Sequence, residues 1–409
     1  MRLVLRGGFV VAVDPDIGVL PGADVVVEHG LITYVGPDGG DGEVVDVSGQ
    51  VVLPGFVDSH RHVWQAPLRG LTADLTLAGY LPLVLGTLAG RHSPDDLRTA
   101  TLLGAAEALD AGITTVVDWS NPATTADHAA AAVDALRTTG IRAVYAYGDA
   151  DDEATIRALH RDLPASTTSL AIATLGPDFG PVEDTARHLA LARDLGVPTT
   201  MHLHDGRGLE PVLDALGPDT QLVHANALPD ALLARLAARG CPISVTPCVE
   251  STMGHGRPIL DRAQAHGARA GLGVDVVTTS PAGMFDQLRS ALAQRRLTTP
   301  SATETHPPAA DLLRSATLDS AATIGLANRT GSITPGKRAD LITVTGYAGL
   351  INVAPDVVPS AVVATATAAD VANVLVDGHF RKRDGKLAHD LHHFRTAADD
   401  LLRRIFPTA

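Results

Sequence analysis

Two histidines one residue apart, His60 and His62, are the first side chains in the chain whose type and spacing suggest chemistry. They end a short apolar segment interrupted by Pro54 and Gly55, which is typical of a buried strand. Side chains two residues apart on a strand point to the same face, so both imidazoles can converge on one point. Neutral imidazole is the commonest metal ligand in proteins, although such a pair alone is weak evidence for a metal.

Three further strand ends carry candidate ligands: His202 ends the fifth predicted strand, His224 the sixth and Asp275 the eighth. One buried histidine is more often a hydrogen-bonded core residue than a ligand. Five such donors at strand ends are a much stronger coincidence, and imidazole with carboxylate suits Zn²⁺ or Fe²⁺. The predicted cofactor is one divalent metal ion, Zn²⁺ with Fe²⁺ as the alternative, held by His60, His62, His202, His224 and Asp275.

These side chains require a scaffold that brings strand ends together. From about residue 53 the chain alternates apolar segments with Ala/Leu/Arg-rich segments of helical spacing. The predicted strands are residues 53–59, 114–120, 143–148, 170–176, 198–204, 221–227, 242–247 and 269–275. Eight strands with intervening helices predict an α/β fold, a (β/α)8 TIM barrel, whose active site is built at the C-terminal strand ends.

Short valine-rich segments separated by turns make up the first part of the chain, and similar segments return near its end. Neither set buries enough surface alone, so we expect the two to pair. The predicted domains are a composite β-sandwich of residues 1–52 and 333–390, a metal-dependent (β/α)8 barrel of residues 53–332, and a C-terminal helix over residues 391–409.

Composition argues against several classes of partner. The formal net charge of −14 disfavours a nucleic-acid surface, whose affinity comes from Lys and Arg. We find no apolar segment of the roughly 18 residues that cross a membrane. The two cysteines form no disulfide framework. We expect a cytoplasmic protein without nucleic-acid or membrane partners, acting on a small-molecule or small peptide-derived substrate; a homodimer is left open.

Lysine is confined to the C-terminal part of the chain, at Lys337, Lys382 and Lys386. The predicted barrel therefore contains none. This excludes Schiff-base catalysis in the barrel, and it excludes a carboxylated lysine that bridges two metals there. The sequence itself thus favours a single metal ion.

Motifs spread over the chain resemble those of the amidohydrolase superfamily. They are PGFVDSHRH at residues 54–62, GSITPGKRAD at residues 331–340, and His202, His224 and Asp275 at strand ends. Within the superfamily the chain is similar to the branch of cytosine deaminase, guanine deaminase and triazine hydrolase (chlorohydrolase-like), whose His-x-His-x-x-Gln pattern matches His60, His62 and Gln65. The resemblance implies that metal-activated hydroxide attacks an sp² carbon and expels a nitrogen leaving group.

Chemistry suggests roles for the acidic residues. A bound divalent ion lowers the pKa of its water to roughly 7, and Asp275 can accept the proton of that water as general base. The branch usually has His-x-x-Glu on strand five to shuttle protons, whereas this chain offers Asp205. Glu250, beyond strand seven, is the rival. We favour Glu250, because Asp205 precedes a Gly-containing turn in which a short carboxylate bonds local backbone N–H groups.

Several residues are weaker candidates. His224 either binds the metal or polarises the substrate, and Glu250 alternatively pairs with Arg257 on the surface. The predicted substrate-binding residues are Gln65, Trp64, Arg69 and His255. Asp118 is expected to orient a ligand histidine.

The leading prediction is a metal-dependent hydrolase of a non-peptide C–N bond that deaminates an amino-heterocycle. The first alternative is amide or amidine hydrolysis that tailors a peptide-derived natural product. The second is a non-catalytic binding barrel, against which the intact ligand set argues.

Overall fold

The computed structural model describes residues 2–163, 167–298 and 305–406. Its first strands are β1 (Arg2–Val11), β2 (Val19–Glu28), β3 (Leu31–Gly36), β4 (Glu43–Asp46) and β5 (Val51–Pro54). The central strands are β6 (Phe56–Arg61), β7 (Ile113–Ser120), β8 (Arg142–Tyr147), β9 (Thr168–Thr174), β10 (Thr199–Leu203), β11 (Thr220–His224), β12 (Ile243–Val245) and β13 (Ala270–Leu272). The last strands are β14 (Leu341–Val344), β15 (Val371–Val376), β16 (His379–Arg383) and β17 (Lys386–Leu387).

Helices fill the connections between these strands. The α-helices are Leu77–Tyr80, Pro94–Asp110, Ala126–Thr139, Glu153–Asp162, Val182–Leu195, Asp230–Ala238, Pro247–Thr252, Leu260–Ala265, Met284–Leu297, Asp311–Ser315, Leu318–Thr323, Ala348–Val353, Val358–Thr365 and Leu391–Ile405. Shorter 3₁₀ turns are Val63–Leu68, Ala89–Arg91, Glu210–Ala215, Pro355–Val357 and Ala368–Asp370, and Leu81–Leu88 is a π-helix. Among the described helices none is long and apolar enough to span a bilayer.

Strands β6 to β13 form a parallel sheet in chain order, which closes into a barrel. The closing hydrogen bonds run between the end of β6 and the segment after β13. The backbone N–H of Asp275 donates to the carbonyl of His60 at 2.8 Å, and that of His62 donates to the carbonyl of Asp275 at 2.9 Å. We call these contacts the closure seam. The predicted TIM barrel is confirmed.

The remaining strands of the described chain form a separate mixed sheet, in which a block of C-terminal strands continues directly into a block of N-terminal strands. Its order is β17-β16-β15-β14-β5-β1-β2-β3, with β4 beside β1. The pairing of β5 with β14 joins the two chain ends antiparallel, from Val51 opposite Val344 to Pro54 opposite Leu341. The expected pairing of the two terminal segments is confirmed.

The structure divides the strand predicted at residues 53–59 between the two sheets. Leu53 and Pro54 belong to β5 of the outer sheet, and Phe56 begins β6 of the barrel. Gly55 lies between them, where a Cβ would come within 2.1 Å of Thr114 Oγ1. The apolar run hides this change of sheet, because both strands are buried on all sides.

A buried ionic cluster connects the outer sheet to the N-terminal end of the barrel. The guanidinium of Arg142, at the start of β8, donates to both oxygens of Asp340 at 2.6 and 3.0 Å and to Asp377 at 2.6 Å. Burial works to lower the pKa of Arg142, but the two carboxylates outweigh it and raise that pKa. No buried nitrogen of Arg142 lacks a partner among the described residues.

The predicted C-terminal helix is observed as Leu391–Ile405, and residues 407–409 lie outside the described residues. Asp390 caps its start by accepting the backbone N–H of His393 at 3.1 Å. Leu401 and Ile405 bury their side chains in the main core. The helix is thereby fixed against the barrel.

Candidate metal centre

The five predicted ligands lie together at the C-terminal ends of four barrel strands. His60 is in β6 and His62 follows it, His202 is in β10, His224 ends β11, and Asp275 follows β13. His224 and Asp275 have φ angles of +71° and +66°, which non-glycine residues rarely adopt. Such strained conformations concentrate at functional sites, where the surrounding structure maintains them.

Their donor atoms are close enough to share one ion. One nitrogen from each of His60, His62 and His202 lies within 4.8 Å of the others, and so do donor atoms of His60, His224 and Asp275. Asp275 Oδ1 lies 3.5 Å from His60 Nε2 and 3.4 Å from His62 Nε2. Two ligands of a tetrahedral Zn²⁺, each about 2.0 Å from it, stand roughly 3.3 Å apart.

The hydrogen bonding of two histidines fits a metal. His60 is completely buried, yet neither of its ring nitrogens has a hydrogen-bond partner among the described residues. Buried polar atoms normally have a hydrogen-bond partner, so the ring nitrogens of His60 call for a further group, such as a bound metal ion, to complete their contacts. His62 donates from Nδ1 to the carbonyl of Trp119 at 3.0 Å, which leaves its Nε2 free to coordinate.

Burial also sets the protonation states that coordination needs. It lowers the pKa of His62 to about 4 and that of His202 well below its ordinary value. Burial works to raise the pKa of Asp275, but His60, whose Nε2 lies 3.5 Å away, and the other nearby imidazoles hold that pKa below its ordinary value. Neutral imidazoles around an ionised carboxylate are the form that binds a divalent cation.

Glu250 lies behind His224 in the short helix Pro247–Thr252 and is fully buried. Its Oε1 is 3.2 Å from Nδ1 of His224 and accepts the backbone N–H of Thr246 at 2.8 Å. Burial works to lower the pKa of His224, but Glu250 and Asp275 raise it. Glu250 therefore contacts a candidate ligand from the interior, and the alternative that it pairs with Arg257 on the surface is wrong.

Asp205 faces away from the cluster. Its Oδ1 accepts the backbone N–H of Arg207 at 3.0 Å, and its Oδ2 accepts from the guanidinium of Arg207 at 2.8 Å. These bonds in the turn lower the pKa of Asp205. The turn after β10 thus uses the carboxylate locally, and Asp205 does not line the cavity above the ligands.

That cavity has a volume of about 290 Å³ and opens at the barrel mouth. It is lined by His62, Leu77, Tyr80, Leu81, Leu85, Asn121, Leu175, Phe179, His202, Leu203, His204, His224, Met253, His255, Asp275 and Val276. A larger open depression of about 1100 Å³ lies beside the start of β13 and contains none of the candidate ligands. The smaller cavity is therefore the candidate active site.

The predicted substrate-binding residues take different positions. His255 lines the cavity, with its ring 4.7 Å from that of His224 and its buried Nε2 unpaired among the described residues. Gln65 does not line it, but donates to the hydroxyl of Tyr80 at 2.6 Å, and Tyr80 does.

Trp64 and Arg69 lie outside the cavity lining. Trp64 is buried, donates to the side chain of Asn121 at 3.1 Å, and packs edge-on against His92. Arg69 pairs with Glu107, so its guanidinium is engaged by a carboxylate of the protein rather than directed into the cavity.

Asp118 does not orient a ligand histidine. Its Oδ1 accepts the backbone N–H of Val63 at 3.2 Å, and burial raises its pKa to about 7. The candidate ligand His62 is oriented instead by the backbone carbonyl of Trp119, the residue that follows Asp118. A carbonyl serves this purpose in any sequence, so no side-chain motif could have identified it.

Comparison of the sequence with protein families and known proteins agrees with the resemblance to amidohydrolases. A family model described as "Amidohydrolase family" matches residues 51–381. The 5-methylthioadenosine/S-adenosylhomocysteine deaminase of Symbiobacterium thermophilum is 28% identical over 421 residues, covering 94% of each chain.

Solved structures that share the fold include a deaminase and a chlorohydrolase. The zinc-bound adenosine deaminase from Xanthomonas campestris is 23% identical with a TM-score of 0.86, covering 98% of each chain. A mutant atrazine chlorohydrolase from Arthrobacter aurescens, complexed with zinc and atraton, is 22% identical with a TM-score of 0.83, covering 98% of this chain and 100% of its own. The predicted resemblance and fold class are confirmed, and so is the predicted enzyme class at the level of an amidohydrolase-family hydrolase.

Proposed function

The chain belongs to the amidohydrolase family, and from that premise we propose that it hydrolyses the C–N bond of an amino-heterocycle and releases ammonia. One observation carries this proposal: four imidazoles and a carboxylate converge at the mouth of the barrel, with the nitrogens of His60 unpaired among the described residues. The deaminase named among the relatives supports an adenine-like heterocycle as the first substrate to assay.

The residues that would hold the metal are His60, His62, His202 and Asp275, with His224 as a fifth ligand or as a neighbour of the bound water. We propose one ion per chain, Zn²⁺ before Fe²⁺. Such an ion supplies Lewis acidity, which activates water and polarises the substrate. A bridging lysine is not available within the barrel, because the lysines of the chain are Lys337, Lys382 and Lys386.

Asp275 and His224 are the proposed proton-transfer groups. Asp275 is ionised and borders the cavity, so it can accept a proton from the attacking water. Its Oδ2 lies 3.7 Å from Nε2 of His224, which also borders the cavity. The proton can thus reach the leaving nitrogen from either group, and substrate amine plus water gives the hydroxylated heterocycle and ammonia.

Glu250 is proposed as a positioning residue that acts through His224. Its carboxylate fixes Nδ1 of that imidazole, so Nε2 faces the cavity in a defined orientation. Glu250 does not itself line the cavity. We therefore retain Glu250 in the mechanism and exclude Asp205, whose carboxylate is engaged by Arg207.

The test is elemental analysis of the purified protein combined with an ammonia-release assay. The substrates are adenosine, 5′-deoxyadenosine, 5′-methylthioadenosine and amino-triazines. We expect one equivalent of Zn²⁺ per chain and deamination that a chelator abolishes. Two tightly held ions per chain would refute the single-metal proposal. A metal-loaded protein that releases ammonia from no amino-heterocycle would refute the proposed reaction, leaving the predicted amide or amidine hydrolysis to assay. A cytoplasmic location and a homodimer stay predictions.

A further inference from the structure

Large apolar side chains surround the mouth of the cavity and remain accessible to water. Leu81, Leu175 and Phe179 keep 38%, 55% and 47% of their surface exposed. Apolar surface is more stable when removed from water, and a contiguous exposed group of such side chains therefore marks a binding surface. All three line the cavity above the candidate metal centre.

Segments that follow different barrel strands contribute to this surface. We call it the apolar wall, and its members are Leu77, Leu81 and Leu85 after β6, Leu175 and Phe179 after β9, and Met253 after β12. Leu81 and Leu85 belong to the π-helix, a rare conformation that is frequent at functional sites. Three separate connections that place apolar side chains around one opening indicate a common ligand.

The apolar wall itself contains no charged side chain. Among the described residues that line the cavity there is no Lys or Arg, and Asp275 is the one carboxylate. Arg69, which was predicted to bind substrate, pairs instead with Glu107, and Arg207, which follows β10, pairs with Asp205. An anionic substituent that entered against the apolar wall would lose its hydration without gaining a partner, which is strongly unfavourable.

We propose that this site selects an uncharged heterocycle with a short apolar substituent, and that the apolar wall is its specificity-determining surface. The inference rests on the function proposed above, because the heterocycle must present its carbon to the same metal centre. The volume of about 290 Å³ lies at the small end of ligand sites, which span roughly 300–1,000 Å³. The cavity can therefore enclose only a short substituent beside the heterocycle.

The first test uses two hydroxamate probes that are matched in size and differ in charge. They are 5-methylhexanohydroxamate and glutaric monohydroxamate, whose tails have equal numbers of heavy atoms and whose hydroxamates bind zinc in the same way. Calorimetry on the zinc-loaded protein should show at least about a hundredfold tighter binding of the alkyl probe. Equal or tighter binding of the carboxylated probe would overturn the inference, and so would failure of both probes to bind.

A charge-introducing variant tests the wall itself. Leu175→Arg places a cation at an exposed position of the wall, so it should raise the affinity for glutaric monohydroxamate at least about tenfold. The matched control is Val353→Arg, because Val353 is 80% exposed and does not line the cavity. Unchanged affinity in folded Leu175→Arg would remove that part of the wall from the proposal. Phe179→Arg repeats the test if Leu175→Arg does not fold.

Turnover separates this inference from the proposed function. The substrates are 9-(3-methylbutyl)adenine and 9-(2-carboxyethyl)adenine, whose substituents also match in size. Deamination of the first at least about a hundredfold faster, measured as kcat/KM, supports both proposals. Equal rates support the proposed reaction and contradict the selectivity. Where neither compound releases ammonia, this adenine reaction fails, and the hydroxamate ratio still decides the inference.

Discussion

Two buried groups of ionisable side chains lie at opposite ends of the barrel, and they differ in how completely they are paired. At the N-terminal end, Arg142 is matched by Asp340 and Asp377 at hydrogen-bonding distance. At the C-terminal end, four imidazoles surround the carboxylate of Asp275, and both nitrogens of His60 lack a partner among the described residues.

The difference separates a structural role from a binding role. A buried ionic cluster whose charges and hydrogen bonds are all paired within the protein needs no bound ligand. Such a cluster can connect two parts of the chain. A buried group with unpaired donors is expensive unless another species completes it. The first cluster therefore connects the outer sheet to the barrel, and the second is suited to binding a cation.

The largest effect is expected from Asp275→Asn. This change removes the negative charge of the proposed metal site and the proposed general base, and a general base alone contributes typically 10²–10⁴-fold. We expect kcat/KM to fall by at least about a thousandfold, while circular dichroism and the melting curve show a folded protein. Near-normal turnover in the folded variant would remove Asp275 from the mechanism.

Asp340→Asn should disrupt the buried cluster around Arg142 at the N-terminal end of the barrel and lower the stability of the fold. Removing one partner of a buried ion pair typically costs about 3–5 kcal/mol, because the remaining charge stays buried. We expect a comparable loss in the free energy of unfolding, measured with urea, and unchanged metal content in the folded fraction. Loss of metal without loss of stability would contradict the division of roles.

Glu250→Gln should have an intermediate effect. Residues that orient a metal-site histidine typically contribute 10–100-fold to metal affinity or activity. We expect kcat to fall about that much with little change in KM, since Glu250 does not line the cavity. Rescue of kcat by a conservative Glu250→Asp change is a readout that a purely structural role would not give. An unchanged kcat in Glu250→Gln would remove it as a positioning residue.

Asp205→Asn should have the smallest effect and serves as the matched control for Glu250→Gln. Its carboxylate pairs with Arg207 in an exposed turn, and exposed ion pairs contribute about 0–1 kcal/mol. We expect turnover within about twofold of the parent protein. A loss of several orders of magnitude would mean that the turn rearranges and that Asp205 supplies the proton.

The barrel and the convergence of the candidate ligands could be predicted because each depends on a strong local signal. Alternation of apolar and helical segments indicates the barrel, and donors at strand ends converge whatever the loops do. His202 and His224 were identifiable for that reason. The change of sheet at Gly55 could not be predicted, because an apolar run looks the same whether it belongs to one buried strand or two.

The apolar wall and the interior position of Glu250 were also hidden from the sequence. Leu175 and Phe179 lie in a connection, where hydrophobic residues have no periodicity that tells which way they face. Glu250 became interior because Pro247 begins a short helix directly after β12. A useful signal would have been large apolar residues placed immediately after a barrel strand.

The closure seam has a consequence for the order of events during folding. It joins the backbone of His60 and His62 to that of Asp275, residues from the first and last strands of the barrel. The complete set of ligands therefore does not exist until almost the whole barrel has been synthesised and has closed, a step slowed by its large loop-closure entropy. A metal bound there would cross-link β6 to the segment after β13, so metal binding would indicate that the barrel has closed. Nascent chains that end before β13 should leave the ion in solution.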